Sequence, residues 1–377
     1  MKINLKELFK SFIKRTQIII IVWTVLNLAL FFTVWLGAGA SFITALIFFV
    51  IWELAIWVYY IYRYAYKEKH KYGEWVDAIL FAVIAATVIR SLFIEAYQIP
   101  TSSMEKSLLT GDFLFVSKVN YGARLTMTPI SFPFAHHTMP WLGTKAYSES
   151  LKIPYHRLPG FQKIKNGDVV VFNYPAENEG RPVDKKENYI KRCVAIPGDT
   201  IAVIDHLVYI NGIPETPPAN RQFEYSLVSK GRFLGKNLYK KLDVTDKIEI
   251  SRPTRDNKTY PWETRVHLTD ENYHKLKGRT DVKSLDTMSY RPGEEHSAMY
   301  PTSKNEKWSR DFYGPLYVPK KGATVELNAQ NFELYDRIIN EYEEAGNFIR
   351  RNGRVYLDDE EITSYTFKLN YYFMMGD

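Results

Sequence analysis

The distribution of apolar residues constrains this chain more than any other feature. Residues 1–95 hold nearly all of its long apolar runs, and the remainder reads as an aqueous, strand-rich domain. A helix needs about 20 mainly apolar residues to cross a bilayer. Three segments meet that length: roughly 17–36 (QIIIIVWTVLNLALFFTVWL), 41–62 and 75–94. Only GAGA at 37–40 separates the first two, which therefore read as a helical hairpin. Glu53 lies inside the second run, either as a functional intramembrane carboxylate or as a structural residue facing the bundle interior. The third run is the weakest, because Asp77 and Arg90 lie near its ends, where long side chains can reach the interface. The first run is too long for the apolar part of a cleavable leader and is followed by another, so no such leader is expected.

Charge sharpens this partition. A net charge of +7 suggests a nucleic-acid binder until its placement is read. Residues 1–74 carry nine Lys and Arg against four Asp and Glu, residues 75–95 contribute −1, and residues 96–377 contribute +3. The excess flanks the apolar runs, as cytoplasmic ends of membrane helices do, and no nucleic-acid partner is expected. Lys2, Lys6, Lys10, Lys14 and Arg15 precede the first run; Arg63, Lys67, Lys69 and Lys71 separate the second from the third. Three crossings then place everything after Glu95 outside. If the third run is instead a buried or interfacial helix, the large domain stays inside. The lone cysteine, Cys193, excludes an intramolecular disulfide and a cysteine-based metal cluster.

Beyond residue 95 the pattern changes to short β-branched and aromatic runs bounded by turn residues, at 113–119, 169–174, 189–195, 200–204 and 207–210. Asn211-Gly212 after the last of these is a hairpin signal. LVYINGIPE at 207–215 and RVYLDDEEIT at 354–363 look like variants of one hairpin. Asn328 is placed to cap a helix running to Gly346, with Phe332, Tyr335, Ile339 and Tyr342 on one face, and a shorter helix follows Thr269. The expected architecture is N-terminal transmembrane α-helices followed by a mainly antiparallel β domain with a large inserted subdomain. The boundaries are 1–95 for the membrane anchor, 96–215 for the first part of the β core, 216–310 for a polar insert with long loops, and 311–377 for the second part of the core.

Two stretches offer chemistry: IPTSSMEKSLLTGDFLFVSK at 99–118, and NGDVVVFNYP at 166–175 followed by YIKRCVAIPGDTI at 189–201. The first presents the hydroxyls of Thr101, Ser102 and Ser103 on a Pro-constrained turn. The second carries Lys191 in the middle of an apolar strand. Burial there disfavours the ammonium form, and a neutral amine can take a proton from a serine hydroxyl. On the residues alone, a lysine in a salt bridge on an edge strand is the commoner fate of a strand lysine and the favoured reading. His136-His137 would point apart on an extended chain, which makes a metal site there a poor fit. Cys193 lacks a histidine neighbour in sequence and reads as a small packing residue.

Taken in order, the apolar run before residue 95, IPTSSM, GDFLFVSK, NGDVVVF, YIKRCVAIPGD and the terminal YYFMMGD resemble the bacterial type I signal peptidases. The resemblance covers the third apolar run to about residue 201, and residues 371–377. It implies a serine endopeptidase with Ser103 as nucleophile and Lys191 as general base. It further implies that Thr101 lends its hydroxyl to an oxyanion hole beside the Ser103 backbone N–H. Tyr97, Ile99, Met104, Leu108, Tyr189 and Ile190 match positions that line shallow apolar substrate pockets; ordinary core packing is the competing reading of each. No metal or organic cofactor is implied. The implied partners are preproteins bearing signal peptides, the lipid bilayer and the secretion machinery. The implied place is the bacterial cytoplasmic (inner) membrane, multi-pass, with the catalytic domain on its outer side. The resemblance also implies an ion pair between Arg192 and Asp377, at a chain end where fraying is expected. The family continues after MMGD with a polar stretch that supports the lysine; this chain stops at Asp377, so weak or no turnover is expected of it. A catalytically inactive, membrane-anchored binding protein of the same fold is the alternative from another class.

Overall fold

The computed structural model describes residues 73–377, apart from 219, 232, 246, 252–261, 295–299, 302, 304 and 344. The first two expected spans, and Glu53 with them, lie outside the described residues. The described chain forms two compact units. One comprises residues 73–97, 115–163 and 179–186; the other comprises 98–114, 164–178 and 187–377.

The first unit opens with helix α1 (Gly73–Leu92), where the third span was expected. Among the described residues, no helix is long and apolar enough to cross a membrane. The physical reason lies in the flanking charges. Between Asp77 and Arg90 only residues 78–89 are uncharged, about 18 Å of helix against a hydrocarbon core of about 30 Å. Arg90 does not extend toward an interface either: its Nε donates to Glu95 Oε1 at 2.7 Å. Glu95 also accepts from the Tyr97 hydroxyl at 2.8 Å and from Lys118 at 2.7 Å. Burial pushes the Glu95 carboxyl up, but Lys118, Tyr97 and Arg90 outweigh it and hold the group below its ordinary range. Strands β1 (Ile94–Gln98) and β2 (Phe113–Ser117) follow and pair with each other. Later in the unit the chain passes close to itself at Gly122 and Gly160. A Cβ on Gly160 would sit 2.4 Å from the Tyr121 carbonyl carbon, so only glycine fits.

The second unit is antiparallel throughout. Strands β3 (Val169–Asn173), β4 (Asn188–Ala195), β5 (Thr200–Ile204), β6 (Leu207–Ile210) and β7 (Ile213–Pro214) lie where the sequence shows its β-branched runs. Then comes the insert: β8 (Phe223–Ser229), α2 (Lys236–Lys241), β9 (Lys247–Ser251), β10 (Trp262–Leu268), α3 (Asp270–Lys277) and β11 (Val282–Thr287). Its strands form one sheet in the order β11-β8-β10-β9 around a core of its own, with Leu227, Val266, Leu268 and Leu276 fully buried. The stretch is thus more ordered than the long loops its polar composition suggests. Tyr225 and Leu227 in β8, like Val266 and Leu268 in β10, alternate with half-exposed neighbours, which is the two-residue period of a strand with one wet face. Thr269 caps α3, accepting from the Asn272 amide at 3.3 Å.

The chain returns through β12 (Phe312–Tyr317), β13 (Thr324–Glu326), α4 (Phe332–Glu341), β14 (Phe348–Arg351), β15 (Arg354–Leu357), β16 (Glu360–Ile362), β17 (Ser364–Thr366) and β18 (Phe373–Met375). The sheets run β12-β5-β6-β7, β18-β4-β3, β14-β15-β16 and β13-β17. The two similar hairpins turn alike: Asn211 and Gly212 have φ of 54° and 79°, and Asp358 and Asp359 have 50° and 67°. Two successive positive φ values match the twist of the flanking strands. α4 is shorter than the expected 328–346. Asn328 accepts from the amides of Gln330 and Asn331 at 2.9 and 3.0 Å, which makes a turn ahead of the helix. The expected face does pack inward, with Tyr335 and Ile339 buried and Phe332 and Tyr342 against them.

Glu343, just past α4, ties the last strands to this core. Its side chain is buried and accepts from the hydroxyls of Tyr365 and Tyr371 and from the amides of Lys368 and Leu369, at 2.6–3.2 Å. Those residues lead directly into β18, which pairs with β4. Replacing Glu343 by Ala orphans these donors, and a buried unpaired polar group costs about 1–3 kcal/mol. Glu343→Ala is therefore expected to lose about 3 kcal/mol of stability, read as a lower urea midpoint at unchanged slope.

Candidate active site

Ser103 sits on the connection between β1 and β2. Reciprocal bonds from the Ile99 amide to Asp112 O (2.9 Å) and from the Gly111 amide to Ile99 O (2.8 Å) close the base of that loop. Inside it, the Met104 carbonyl accepts from Ser107 and Leu108 at 3.1 and 2.7 Å, forming one helical turn. Met104 is fully buried beneath the turn, while Ser103 and Thr101 are exposed. The loop thus has a pinned underside and a free hydroxyl edge.

Lys191 comes from β4, the central strand of the β18-β4-β3 sheet, opposite Val170. It is not the sheet-edge lysine of the alternative reading. Its half-buried Nζ donates to Ser103 Oγ and, at 3.1 Å, to Ile190 O. Thr101 Oγ1 is 3.4 Å from Ser103 Oγ, so two hydroxyls and an amine converge. Burial lowers the Lys191 pKa from its ordinary 10.5, and the charge of Asp377 works in the opposite direction.

Asp377 is kept from pairing with that amine by Arg192. The guanidinium clamps the carboxylate through Nε (2.7 Å to Oδ1) and a second nitrogen, and it also holds Gly167 O at 2.7 Å. Ser107 donates to the same carboxylate. The Asp377 side chain is 2 % exposed, so at this chain end the pair is packed and not frayed. The Asp377 amide donates to Ser103 O at 3.2 Å, and Gly376 permits the approach, since a Cβ there would lie 2.4 Å from that oxygen. The Ser103 carbonyl is therefore held by Asp377, two residues beyond β18.

The expected pocket residues are scattered in kind. Ile99 and Met104 are buried, Leu108 and Ile190 are half-buried, and Tyr189 is exposed. The Tyr189 ring stacks on Tyr174 with centroids 4.3 Å apart and lies 5.7 Å from Lys191 Nζ. Tyr97 belongs to the first unit and turns its hydroxyl to Glu95. Cys193 is fully buried, and burial pushes its thiol up to about 12, which leaves it unreactive. His136 bonds the Lys186 carbonyl at 2.9 Å, and His137 contacts Thr138 Oγ1 at 2.6 Å. Sequence reasoning missed Ser107. Its partner lies 270 residues away, so no local pattern marks it.

Burial would raise the Asp377 carboxyl, but Arg192 and Ser107, with Lys191, hold it below its ordinary 3.8. A lowered carboxylate contributes stability that is present above 3.8 and lost as the pH falls through the lowered value. Arg192→Met leaves that carboxylate uncompensated and is expected to cost about 3 kcal/mol at neutral pH. The gap between wild type and variant should close as the pH drops below 3.8 in urea unfolding curves, and a gap independent of pH would contradict the pairing.

Comparison with known proteins agrees with this arrangement of segments. The family profile described as signal peptidase, peptidase S26, matches residues 72–287. The signal peptidase I of Pseudomonas aeruginosa is 36 % identical over 143 residues, which cover 38 % of this chain and 38 % of that protein. The signal peptidase I of Pseudomonas fluorescens is 33 % identical over 143 residues, with the same coverage of 38 % on both sides. That of Rickettsia bellii is 33 % identical over 145 residues, 38 % of this chain and 41 % of the relative. The matched stretch thus spans about two fifths of each curated relative.

Proposed function

The chain belongs to the signal peptidase family, peptidase S26, and from that premise we propose that it removes signal peptides from exported preproteins with Ser103 as nucleophile and Lys191 as base. The observation that carries this reading is the Lys191 Nζ–Ser103 Oγ hydrogen bond at a half-buried amine whose nearest carboxylate is occupied by Arg192. In the drawn state the amine donates. Once neutral, it accepts the hydroxyl proton across the same contact, the task that histidine performs in the Ser-His-Asp triad.

The reaction runs in two halves. Ser103 Oγ bonds to the scissile carbonyl carbon as its proton passes to Lys191 Nζ. The oxygen of the tetrahedral intermediate is held by the Thr101 hydroxyl and the Ser103 backbone N–H. Donors placed in this way are worth roughly 10²–10³-fold in rate. Collapse breaks the C–N bond, and the leaving amine takes the proton from Lys191. Water then attacks the Ser103 ester as its proton passes to Lys191; collapse breaks the C–Oγ bond, Lys191 returns the proton to Ser103 Oγ, and the acid is released. An extended substrate supplies backbone hydrogen bonds for affinity, and alternate side chains set specificity. Ile99, Met104, Leu108, Tyr189 and Ile190 are the proposed apolar lining, suited to small residues beside the cut.

Ser103→Ala and Lys191→Ala are each expected to lower cleavage of a leader-bearing preprotein on the order of 10⁴-fold or more without unfolding the protein. Wild-type rate in either variant would remove that residue from the mechanism. Because the base works neutral and burial lowers its pKa, kcat/KM should rise with pH and level off below the ordinary lysine value of 10.5. A preprotein with phenylalanine in place of alanine before the cut should resist cleavage; equal rates would refute the small pocket.

We place residues 96–377 at the outer face of the cytoplasmic membrane, with preproteins, the bilayer and the secretion machinery as partners. The Lys/Arg bias around the apolar runs supports this placement. The placement requires a third crossing at residues 75–94; two crossings alone would leave residues 96–377 inside. A topology reporter fused after Ile201 should be active only when exported; activity confined to the cytoplasm would reverse the assignment.

A further inference from the structure

The turn that carries Ser103 contains a strained residue whose side chain reaches into the insert. Lys106 has φ +71°, the left-handed region that a long side chain enters only against steric resistance. Its side chain is 12 % exposed, so the ammonium requires acceptors. It donates to both the backbone carbonyl and Oδ2 of Asp243. Asp243, at φ +52°, forms the corner after α2.

That corner is firmly seated. The Asp243 amide donates to Lys240 O at 3.2 Å, and the Val244 amide donates to Tyr239 O at 2.9 Å. Tyr239 and Val244 belong to the buried core of the insert. Leu242 O accepts from the Asn272 side chain of α3 at 2.7 Å. Lys106 therefore reaches a corner seated on a packed core; the Asp243 carboxylate is itself exposed, and what sets the contact apart from an ordinary surface ion pair is its second acceptor, the fixed Asp243 backbone carbonyl.

We infer that Lys106 is a positioning residue: anchored at Asp243, it braces the nucleophile turn on the inserted subdomain and holds Ser103 within reach of Lys191. The inference rests on the Ser103/Lys191 reading and gives the insert a role in catalysis. Misplacing a reacting atom by about 1 Å can cost on the order of 10²-fold in rate.

The test compares Lys106→Met, Lys106→Gly, Lys106→Arg, Asp243→Asn and the Lys106→Met/Asp243→Asn double variant in the full chain. Lys106→Met and Asp243→Asn should each lower kcat about tenfold or more with KM little changed, and Lys106→Arg should recover most of the loss. The double variant should be no worse than Lys106→Met alone, as one shared interaction requires. Lys106→Gly relieves the backbone but cuts the tether, so it should behave like Lys106→Met. Full kcat in Lys106→Met or Lys106→Gly, or additive losses in the double variant, overturns the inference. Hydrogen exchange decides the matter without catalysis: the Ser107 and Leu108 amides should exchange faster in Lys106→Met and Asp243→Asn, and unchanged exchange also overturns it. Ser103→Ala serves as the control for the underlying reading. If it cleaves like wild type, the serine assignment fails, and the exchange result still decides the tether.

Discussion

The candidate site depends first on where one carboxylate goes. Asp377 lies close enough to Lys191 to favour its ammonium form, and an ammonium cannot accept a proton. Arg192 removes that conflict by taking both Asp377 oxygens, with Ser107 donating as well. The same clamp fixes Asp377, two residues beyond β18, whose amide holds the Ser103 carbonyl. One guanidinium thus sets both the charge beside Lys191 and the position of the Ser103 backbone. A nearly buried ion pair of this kind is weak evidence for stability; what it supplies here is placement.

Strand alternation explains why consecutive residues divide the work. In β4, Lys191 and Cys193 share one face and Arg192 takes the other. Burial lowers the Lys191 pKa, and Val170 stands opposite it on β3. A one-residue slip in register would exchange base and clamp. The pairing of Val169 with Arg192, Val170 with Lys191, and Met375 with Arg192 fixes that register from both sides.

Much of this was legible in the sequence where the signal is local. The runs at 113–119, 169–174, 189–195, 200–204 and 207–210 give strands with ends displaced by two residues or fewer. The two variant hairpins share a turn conformation because Asn-Gly and Asp-Asp both tolerate positive φ. The strands of the insert are hard to read because FEYSLVS and WETRVHL carry their period of two inside a Lys-, Arg- and Tyr-rich composition. The helix at 332–341 was overextended because Asn328 and Glu343 bond to partners off the helix axis. Residues 75–94 are the weakest of the three expected spans because Asp77 and Arg90 lie near the ends, and no described helix is long and apolar enough to cross a membrane. Lys106 and Ser107 carried no sequence signal, since their partners lie 137 and 270 residues away.

Those long separations bear on how a site of this kind is assembled. Ser103 and Lys191 are 88 residues apart, and neither is held by its own element alone. The serine turn is shallow, and its inward anchor is Met104, a flexible side chain that specifies orientation poorly by itself. Orientation must come from contacts at the rim: Asp377 on the Ser103 carbonyl, Asp243 on Lys106 and Asp112 at the base of the loop. Each arrives from a different stretch of chain, and each binds backbone or a charged head group, where geometry is most restrictive. An exposed hydroxyl can then meet a half-buried amine with little freedom left to either. In the proposed mechanism, preorganisation of that kind is what turns a serine and a lysine, both poor reagents at their ordinary pKa values, into a working pair.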